Sequence, residues 1–328
     1  MKALVLKNGG SIDGLQIADM PIPEFQEDEL LIRVKATSLN PSDYQTAEYM
    51  TGENLDIVLG LDVAGVVEKT GKNCQKYKPG DRVFFLREIA NPYGGFAEYA
   101  IAPEKFVCKV PDELSFVEAA VLPGAGFTAY HILEQRFHLI AGRTILIQGG
   151  AGAVGSYAIQ LAKLHGLRVI TTCLGRDIPY VLELGADEAI DFQNENVYER
   201  ISLLTQGQGV HYVLSTIGSD GATKDLSILR FNGELAVTSG LPDFKDWVFY
   251  NKGISIHEIA FGQFLSIQDK EMNRVPVEIG ERLAKLVVDH QIRLPKIQKI
   301  LLEETINYLK EIKAGNITGK VVIEFNDD

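Results

Sequence analysis

Cysteine is scarce in this chain: three residues, Cys74, Cys108 and Cys173, are scattered through 328 positions. So few, and odd in number, they exclude a disulfide framework and suit a reducing, cytoplasmic setting in which each is simply a small buried side chain. Basic residues are also in deficit, with 32 Lys and Arg against 44 Asp and Glu and a net charge of −12. A polyanion is bound by clustered cations that displace its counterions, so this balance argues against a nucleic-acid partner. No apolar stretch approaches the ~20 residues that a bilayer crossing needs. The opening segment Met1–Lys7 is too short for a signal-peptide core, which argues against export or membrane insertion. Internal repeats and low-complexity tracts are missing as well. What remains, 46% hydrophobic and 23% charged, is an ordinary globular composition with enough length for two domains.

The most informative positive feature is the stretch from Ile145 to Thr172, ILIQGGAGAVGSYAIQLAKLHGLRVITT. Ile145 to Gln148 reads as a buried strand that breaks at Gly149. Gly150-Ala151-Gly152-Ala153-Val154-Gly155 then forms a G-x-G-x-x-G loop. Val154, Tyr157, Ala158, Leu161 and Ala162 follow at helical spacing along one face. Gly166 stands where a helix-ending glycine belongs, and Leu167 to Thr172 supplies a second strand. The unit is a complete β-α-β crossover. In such a unit Gly150 permits the tight turn, Gly152 removes a side chain that would block a pyrophosphate, and Gly155 lets helix and strand pack closely. Helix N-terminal amides then face the phosphates. A tight turn that binds nothing is the alternative, and the full strand–loop–helix–strand context disfavours it.

Around this unit the chain changes rhythm. Up to about Val110 it reads as all-β, with runs such as Leu30 to Ala36, Val63 to Glu68 and Arg82 to Phe85 set between turn signals. From Thr144 strands alternate with helices. Strands are expected at Glu188 to Phe192, Val210 to Thr216, Glu234 to Ser239 and Ile254 to Ile259. Helices are expected at Pro179 to Leu184, Val197 to Leu204 and Thr223 to Arg230. Alternation of this kind predicts a doubly wound parallel sheet. Two amphipathic helices, Val277 to His290 and Glu303 to Ala314, precede a last strand, Lys320 to Phe325, which should return to the N-terminal β domain.

Several motifs together resemble the medium-chain dehydrogenase/reductase superfamily: Gly60-Leu61-Asp62-Val63-Ala64-Gly65, Lys78-Pro79-Gly80-Asp81-Arg82-Val83, Gly94-Gly95-Phe96-Ala97-Glu98-Tyr99, Leu122-Pro123-Gly124-Ala125-Gly126-Phe127-Thr128, the Gly150 loop, Leu184-Gly185-Ala186-Asp187 and Gly319-Lys320-Val321-Val322. They occur in the family's order and cover nearly the whole chain. The resemblance implies an α/β architecture: a GroES-like β-rich catalytic domain, residues 1–123 with 262–328, and a Rossmann domain, residues 124–261, with the active site in the cleft between them. It also bears on metal. Where zinc members carry a Cys, a His and a second Cys, this chain aligns Asn40, Leu61 and Ala125, and Asp81 to Tyr99 lacks the cysteines of the structural zinc lobe. Zn²⁺ prefers sulfur and nitrogen ligands, so no zinc is expected. The sequence looks like the zinc-independent quinone oxidoreductase and enoyl reductase branch.

Metal-free chemistry favours hydride addition to a quinone or to the β-carbon of an α,β-unsaturated carbonyl, because charge then spreads to an oxygen that hydrogen-bond donors can stabilise. Tyr44 is the candidate donor; the competing role is a pocket wall that positions substrate. By resemblance, Asn40 supports the nicotinamide or the substrate carbonyl, and Thr128 binds the carboxamide. Asp43 reads as structural, ordering the Asn40–Tyr44 turn. The six histidines show no relay or ligand spacing, and His165 reads as a helix C-terminal residue.

The second strand ends Thr172-Cys173-Leu174-Gly175-Arg176-Asp177, a neutral tip rather than the Asp or Glu of an NAD site. The Arg176 guanidinium suits a 2′-phosphate, so NADPH is expected over NADH. Asp177 either caps the next helix or reaches a ribose. Phe192 stands where relatives carry a tyrosine near that phosphate. The expected cofactor shell comprises Thr128, Gly150, Gly152, Ala153, Val154, Gly155, Thr172, Arg176, Phe192, Thr216, Ser239, Gly240 and Lys320. Two other functions remain open: an enoyl-thioester reductase, and a catalytically weak NADPH-binding protein. The edge of the sixth strand suggests a homodimer.

Overall fold

The computed structural model describes residues 1–325 except Phe249, Gln268 and Lys270. The chain divides into two compact units, Met1–Phe127 with Gly262–Asp328, and Thr128–Phe261.

The second unit is built on a parallel six-stranded sheet. In spatial order its strands are Glu188–Asp191, Arg168–Cys173, Thr144–Ile147, Val210–Ser215, Leu229–Val237 and Ser255–Glu258. The first strand in the chain lies mid-sheet, and the order reverses beside it, which is the switch point where ligands of open α/β sheets bind. The glycine-loop helix spans Ala153–Leu164, with Tyr157, Ala158, Leu161 and Ala162 fully buried. It ends at His165 and Gly166, the latter in the left-handed region (φ 68°) that glycine enters without penalty. This part of the unit differs from expectation: helix Gly218–Ile228 begins and ends earlier than Thr223 to Arg230, and the next strand runs Leu229–Val237 rather than Glu234 to Ser239. Asn232-Gly233 forms an irregularity inside that strand. Asn232 is left-handed (φ 57°), and the pairing register shifts opposite Val210 and Tyr212.

The first unit holds a seven-stranded, mostly antiparallel sheet and a three-stranded one. Its central strand, Glu29–Ser38, pairs antiparallel with Asp62–Thr70 on one side and Lys320–Glu324 on the other. Ser38 thereby faces both Asp62 and Val322, so residues from three distant parts of the sequence meet at one end of the sheet.

Two expectations need correction. The N-terminal region is not all-β, because Pro41–Tyr49 is helical. The start signal is present: Asn40 is extended, Pro41 takes the first helical position, and the Asp43 carboxylate accepts the Asn40 amide proton (2.7 Å). The segment has no apolar stripe, since only Asp43 and Ala47 are buried, so periodicity cannot reveal it. Second, one helical run, Phe116–Arg136, is long and apolar enough to cross a membrane, although 78% of its apolar window is buried in the protein. It was missed because π-helical segments, Leu122–Phe127 and His131–Arg136, interrupt regular periodicity.

Candidate active site

In the first unit the site grows from a buried polar cluster. Asp62, at the start of its strand, is completely buried, and its Oδ2 accepts hydrogen bonds from Ser38 Oγ (2.6 Å), Asn40 Nδ2 (2.8 Å) and Lys320 Nζ (2.8 Å). Its Oδ1 accepts the Gly124 backbone N–H (2.7 Å). The Lys320 ammonium, 3% exposed, also donates to Asn40 Oδ1 (2.6 Å) and the Leu39 carbonyl (3.0 Å). A buried charge of this kind survives only when paired and fully hydrogen-bonded, and both are. Gly124 is required for closeness: a Cβ there would lie 2.8 Å from Asp62 Oδ1 and 3.0 Å from Asn40 Oδ1. Asn40 and the Gly124 backbone, from two distant segments, thus meet at Asp62. An ammonium sits among the oxygens.

Asp43 lies just behind. Its Oδ1 accepts the Gly60 N–H (3.1 Å) and its Oδ2 that of Asn40, so it fixes the helix start, as its reading as a structural residue anticipated. Burial pushes its carboxyl up to about 7; the Asn40 amide opposes this, the Asp62 charge adds to it, and Arg87 and Lys320 oppose it. The buried Arg87 guanidinium is drawn down to about 10 by its own burial. Because the folded Asp43 value lies above the ordinary 3.8, the folded state keeps a proton that the unfolded chain releases between those values. That contribution to stability is complete only below the ordinary 3.8 and is lost as pH rises through about 7. The stability of the wild type relative to Asp43→Asn should therefore fall from pH 4 to pH 7 in urea unfolding titrations. A difference that stays constant across this range would show Asp43 ionised throughout.

Tyr44 follows one residue on. Its ring is half-buried against the cluster that includes Leu39, Ala47 and Leu309, and its hydroxyl makes no hydrogen bond among the described residues. It lies close enough to Lys313 to help Glu48 raise that lysine's pKa. The phenol is therefore an available donor, but it is not wired into the Asp62 cluster.

In the second unit the glycine loop differs in detail from its sequence reading. Gly149, not Gly150, adopts the left-handed turn (φ 70°). Gly150 is needed for contact instead, since a Cβ would come within 2.0 Å of Thr171 Oγ1. Gly155 packs as expected, with a Cβ only 2.4 Å from the Gly149 carbonyl. At Gly152 a Cβ would meet nothing nearer than 3.3 Å, and no side chain caps the helix that starts there. Loop and helix start thus present open space and uncapped first-turn amides, which fits a pyrophosphate. Ala153 and Val154 form the first turn.

Thr172 is buried and shapes this loop, accepting the Gly149 N–H (3.0 Å) and donating to Gln148 Oε1 (2.7 Å). Thr216 donates to the Gln148 carbonyl (3.1 Å). Ser239 Oγ accepts the Gly218 N–H (3.0 Å), and Gly240 (φ 139°) packs on Ser219. Thr128 is half-buried at the start of the unit. Arg176 is 55% exposed with its Nε 3.8 Å from Asp177 Oδ2, and Phe192 is exposed. Asp177 occupies the N-cap position without capping through its side chain. Sequence reasoning missed Asp191, whose carboxylate lies where a Cβ on Gly175 would be 2.5 Å away. Burial, then the charges of Asp177 and Asp191, push the Cys173 thiol up to about 11, so acids flank the strand tip. A cavity of about 210 Å³ lined by Thr144, Arg168 and Arg230 opens at the amino ends of the strands, away from the carboxyl ends where such sheets bind ligands.

Residues 26–112 match the Alcohol dehydrogenase GroES-like domain family and residues 153–274 the Zinc-binding dehydrogenase family. The chain is 31% identical to the Chloroplast envelope quinone oxidoreductase homolog of Arabidopsis thaliana over 96% of its length and 95% of that protein's. The chain belongs to the quinone oxidoreductase branch of the medium-chain dehydrogenase/reductase superfamily. The 2-methylene-furan-3-one reductase of Solanum lycopersicum is 33% identical over 98% of this chain and 79% of its own. A mycobacterial protein solved in complex with NADPH superposes with a TM-score of 0.87 at 25% identity, covering 99% of this chain and 100% of that one. This medium-chain member carries both halves of the family architecture, the GroES-like unit and the Rossmann-type sheet. Among its described residues no group of three or more His, Cys, Asp or Glu is placed to hold a metal ion.

Proposed function

We propose that this protein is an NADPH-dependent oxidoreductase that transfers hydride to a quinone or an α,β-unsaturated carbonyl without zinc. The observation that supports the zinc-free part is the buried Lys320–Asp62 ion pair, Nζ to Oδ2 2.8 Å, beside Asn40, one of the positions that the family resemblance aligns with zinc ligands. An ammonium already paired there opposes entry of a second cation, and Leu61 and Ala125 offer no donor atoms. NADPH, when bound, supplies the hydride. Gly150, Gly152 and Gly155 with the first-turn amides of Ala153 and Val154 hold the pyrophosphate, and Arg176, half-exposed, takes the 2′-phosphate with its forked donors. Thr128, Thr172, Thr216, Ser239 and Gly240 complete the cofactor shell, with Phe192 at its rim. Lys320 leaves that shell in this reading, because its three donor protons are already used. Asn40 and the Tyr44 hydroxyl receive the substrate oxygen as negative charge develops on it. We further infer a cytoplasmic homodimer, on the three free cysteines and on the terminal sheet strand Ser255–Glu258, which leaves one edge to pair with a second copy.

The test is a panel of NADPH-oxidation rates against p-benzoquinone, 1,2-naphthoquinone, cyclohex-2-enone and crotonyl-CoA, alongside elemental analysis and sedimentation. Turnover of quinones or enones, no stoichiometric zinc, unchanged rates after prolonged chelation and a particle of twice the chain mass are expected. A tightly held zinc whose removal abolishes activity would sink the metal-free reading.

A further inference from the structure

Lys320 and Asp62 lie together in a buried cluster that the proposed chemistry does not itself use. The strand Lys320–Glu324 returns from the far end of the chain to pair beside Ser38, and this brings the ammonium to the N-cap of helix Pro41–Tyr49. There it meets the one cluster side chain assigned to substrate, Asn40.

A terminal amide can sit in its site in two ways, related by exchange of O and N. Here the choice is imposed by charge. An ammonium has only donors, so the end of the amide 2.6 Å from Lys320 Nζ must be the oxygen. A carboxylate has only acceptors, so the end 2.8 Å from Asp62 Oδ2 must be the nitrogen. One N–H is thereby committed to Asp62. The second is held only by the Ser38 carbonyl at 3.4 Å, a long and weak bond. Asp62 cannot turn to accept a flipped amide: Ser38 Oγ, Lys320 and the Gly124 N–H hold it from three sides. Lys320 cannot turn either, with Leu39, Asn40 and Asp62 taking its three protons.

We propose that Lys320 is a positioning residue for substrate selection: with Asp62 it locks the Asn40 amide so that its weakly held N–H is a donor reserved for an acceptor oxygen of the substrate. The site then selects ligands with a carbonyl or quinone oxygen at that point and rejects those presenting a hydroxyl or amine proton there. Exchange of Lys320 for methionine removes the donor that holds the amide oxygen, so the amide is anchored at its nitrogen end alone and its second N–H is no longer fixed toward the substrate oxygen. The inference rests on the function proposed above, since it concerns the oxygen of that substrate class.

The decisive experiment is a double-mutant cycle with Lys320→Met, Asn40→Ala and the double variant. Three quantities are read: kcat/KM with p-benzoquinone and cyclohex-2-enone, the Kd of NADPH by fluorescence, and the Kd of cyclohex-2-enone in the NADP⁺-loaded protein by calorimetry. Lys320→Met should lower kcat/KM at least tenfold and weaken enone binding, with the Kd of NADPH within twofold of wild type. In the Asn40→Ala background the same change should have no further effect, because Lys320 acts through that amide. Losses that multiply in the double variant, or an equal loss in NADPH affinity, would overturn the inference and mark Lys320 as a support of the fold alone. If Lys320→Met does not fold, Lys320→Gln replaces it in the cycle: its amide can still donate to Asn40 Oδ1, and it should retain part of the rate lost in Asn40→Ala. A Gln variant as impaired as Asn40→Ala, yet with additive losses, counts against the inference. A wild type that neither turns over nor binds any quinone or enone defeats the function itself; an active wild type with an additive cycle defeats only the role of Lys320.

Discussion

Tyr44→Phe should lower the turnover number on enones by ~10²-fold or more while leaving cofactor affinity nearly intact, the range expected for loss of a general acid or oxyanion donor. The reason is differential binding. The phenol is half-buried, and its hydroxyl forms no hydrogen bond among the described residues, so no competing partner must be displaced before it serves a substrate oxygen. A bond to that oxygen strengthens as negative charge accumulates, and its loss therefore appears in kcat rather than in binding. Quinones gain aromatic stabilisation on reduction and need less help, so the drop should be smaller for them. Steady-state kinetics on both classes, with NADPH Kd measured separately, make the comparison. A variant within about threefold of wild type on both classes would contradict the donor role, because that is under ~1 kcal/mol of barrier. Tyr44 would then be the pocket wall that its packing against the apolar cluster of the first unit also permits.

Arg176→Ala should weaken NADPH binding by about 1–3 kcal/mol, roughly fivefold to 150-fold, while barely changing NADH binding. Arg176 is 55% exposed, with its Nε 3.8 Å from Asp177 Oδ2. An exposed guanidinium offers a fork of donors that matches a 2′-phosphate. The setting gives this arginine unusual weight: Asp177 and Asp191 both place negative charge near the strand tip at Cys173, where a phosphate dianion must approach. Removing the Arg176 cation leaves the repulsion between those acids and the phosphate less opposed. Fluorescence titrations with both cofactors decide the matter. Equal loss for NADPH and NADH would make Arg176 a structural residue, and a wild-type preference for NADH would promote the acids to ribose ligands.

Much of this architecture was legible in the chain itself, and the reason is local. The sheet of the second unit is parallel, so each strand is a short apolar run and each crossover a helix of its own. Those patterns are written within ten or fifteen residues, and segments such as Val197–Leu204 fall where periodicity places them. The glycine loop is likewise a contiguous backbone requirement, although which glycine turns and which one packs emerged only from Thr171 pressing on Gly150. Helix Pro41–Tyr49 was hidden because its faces do not differ in polarity; its start is fixed by a carboxylate and a proline rather than by an apolar stripe.

The candidate site divides the same way. Sequence alone marked Asn40, Leu61 and Ala125 as unsuited to zinc, since the identity of a side chain settles which atoms it can donate. It could not say what stands there instead. Lys320 is 258 positions from Asp62 and 280 from Asn40, and nothing in its own neighbourhood distinguishes a buried ammonium from a surface one. Only the return of the last strand to Ser38, and the closeness allowed by Gly124, turn a lysine, an aspartate and an asparagine into one network. Composition and periodicity record what each segment prefers. The pairing of distant strands decides which charges meet away from water, where an unpaired one could not persist.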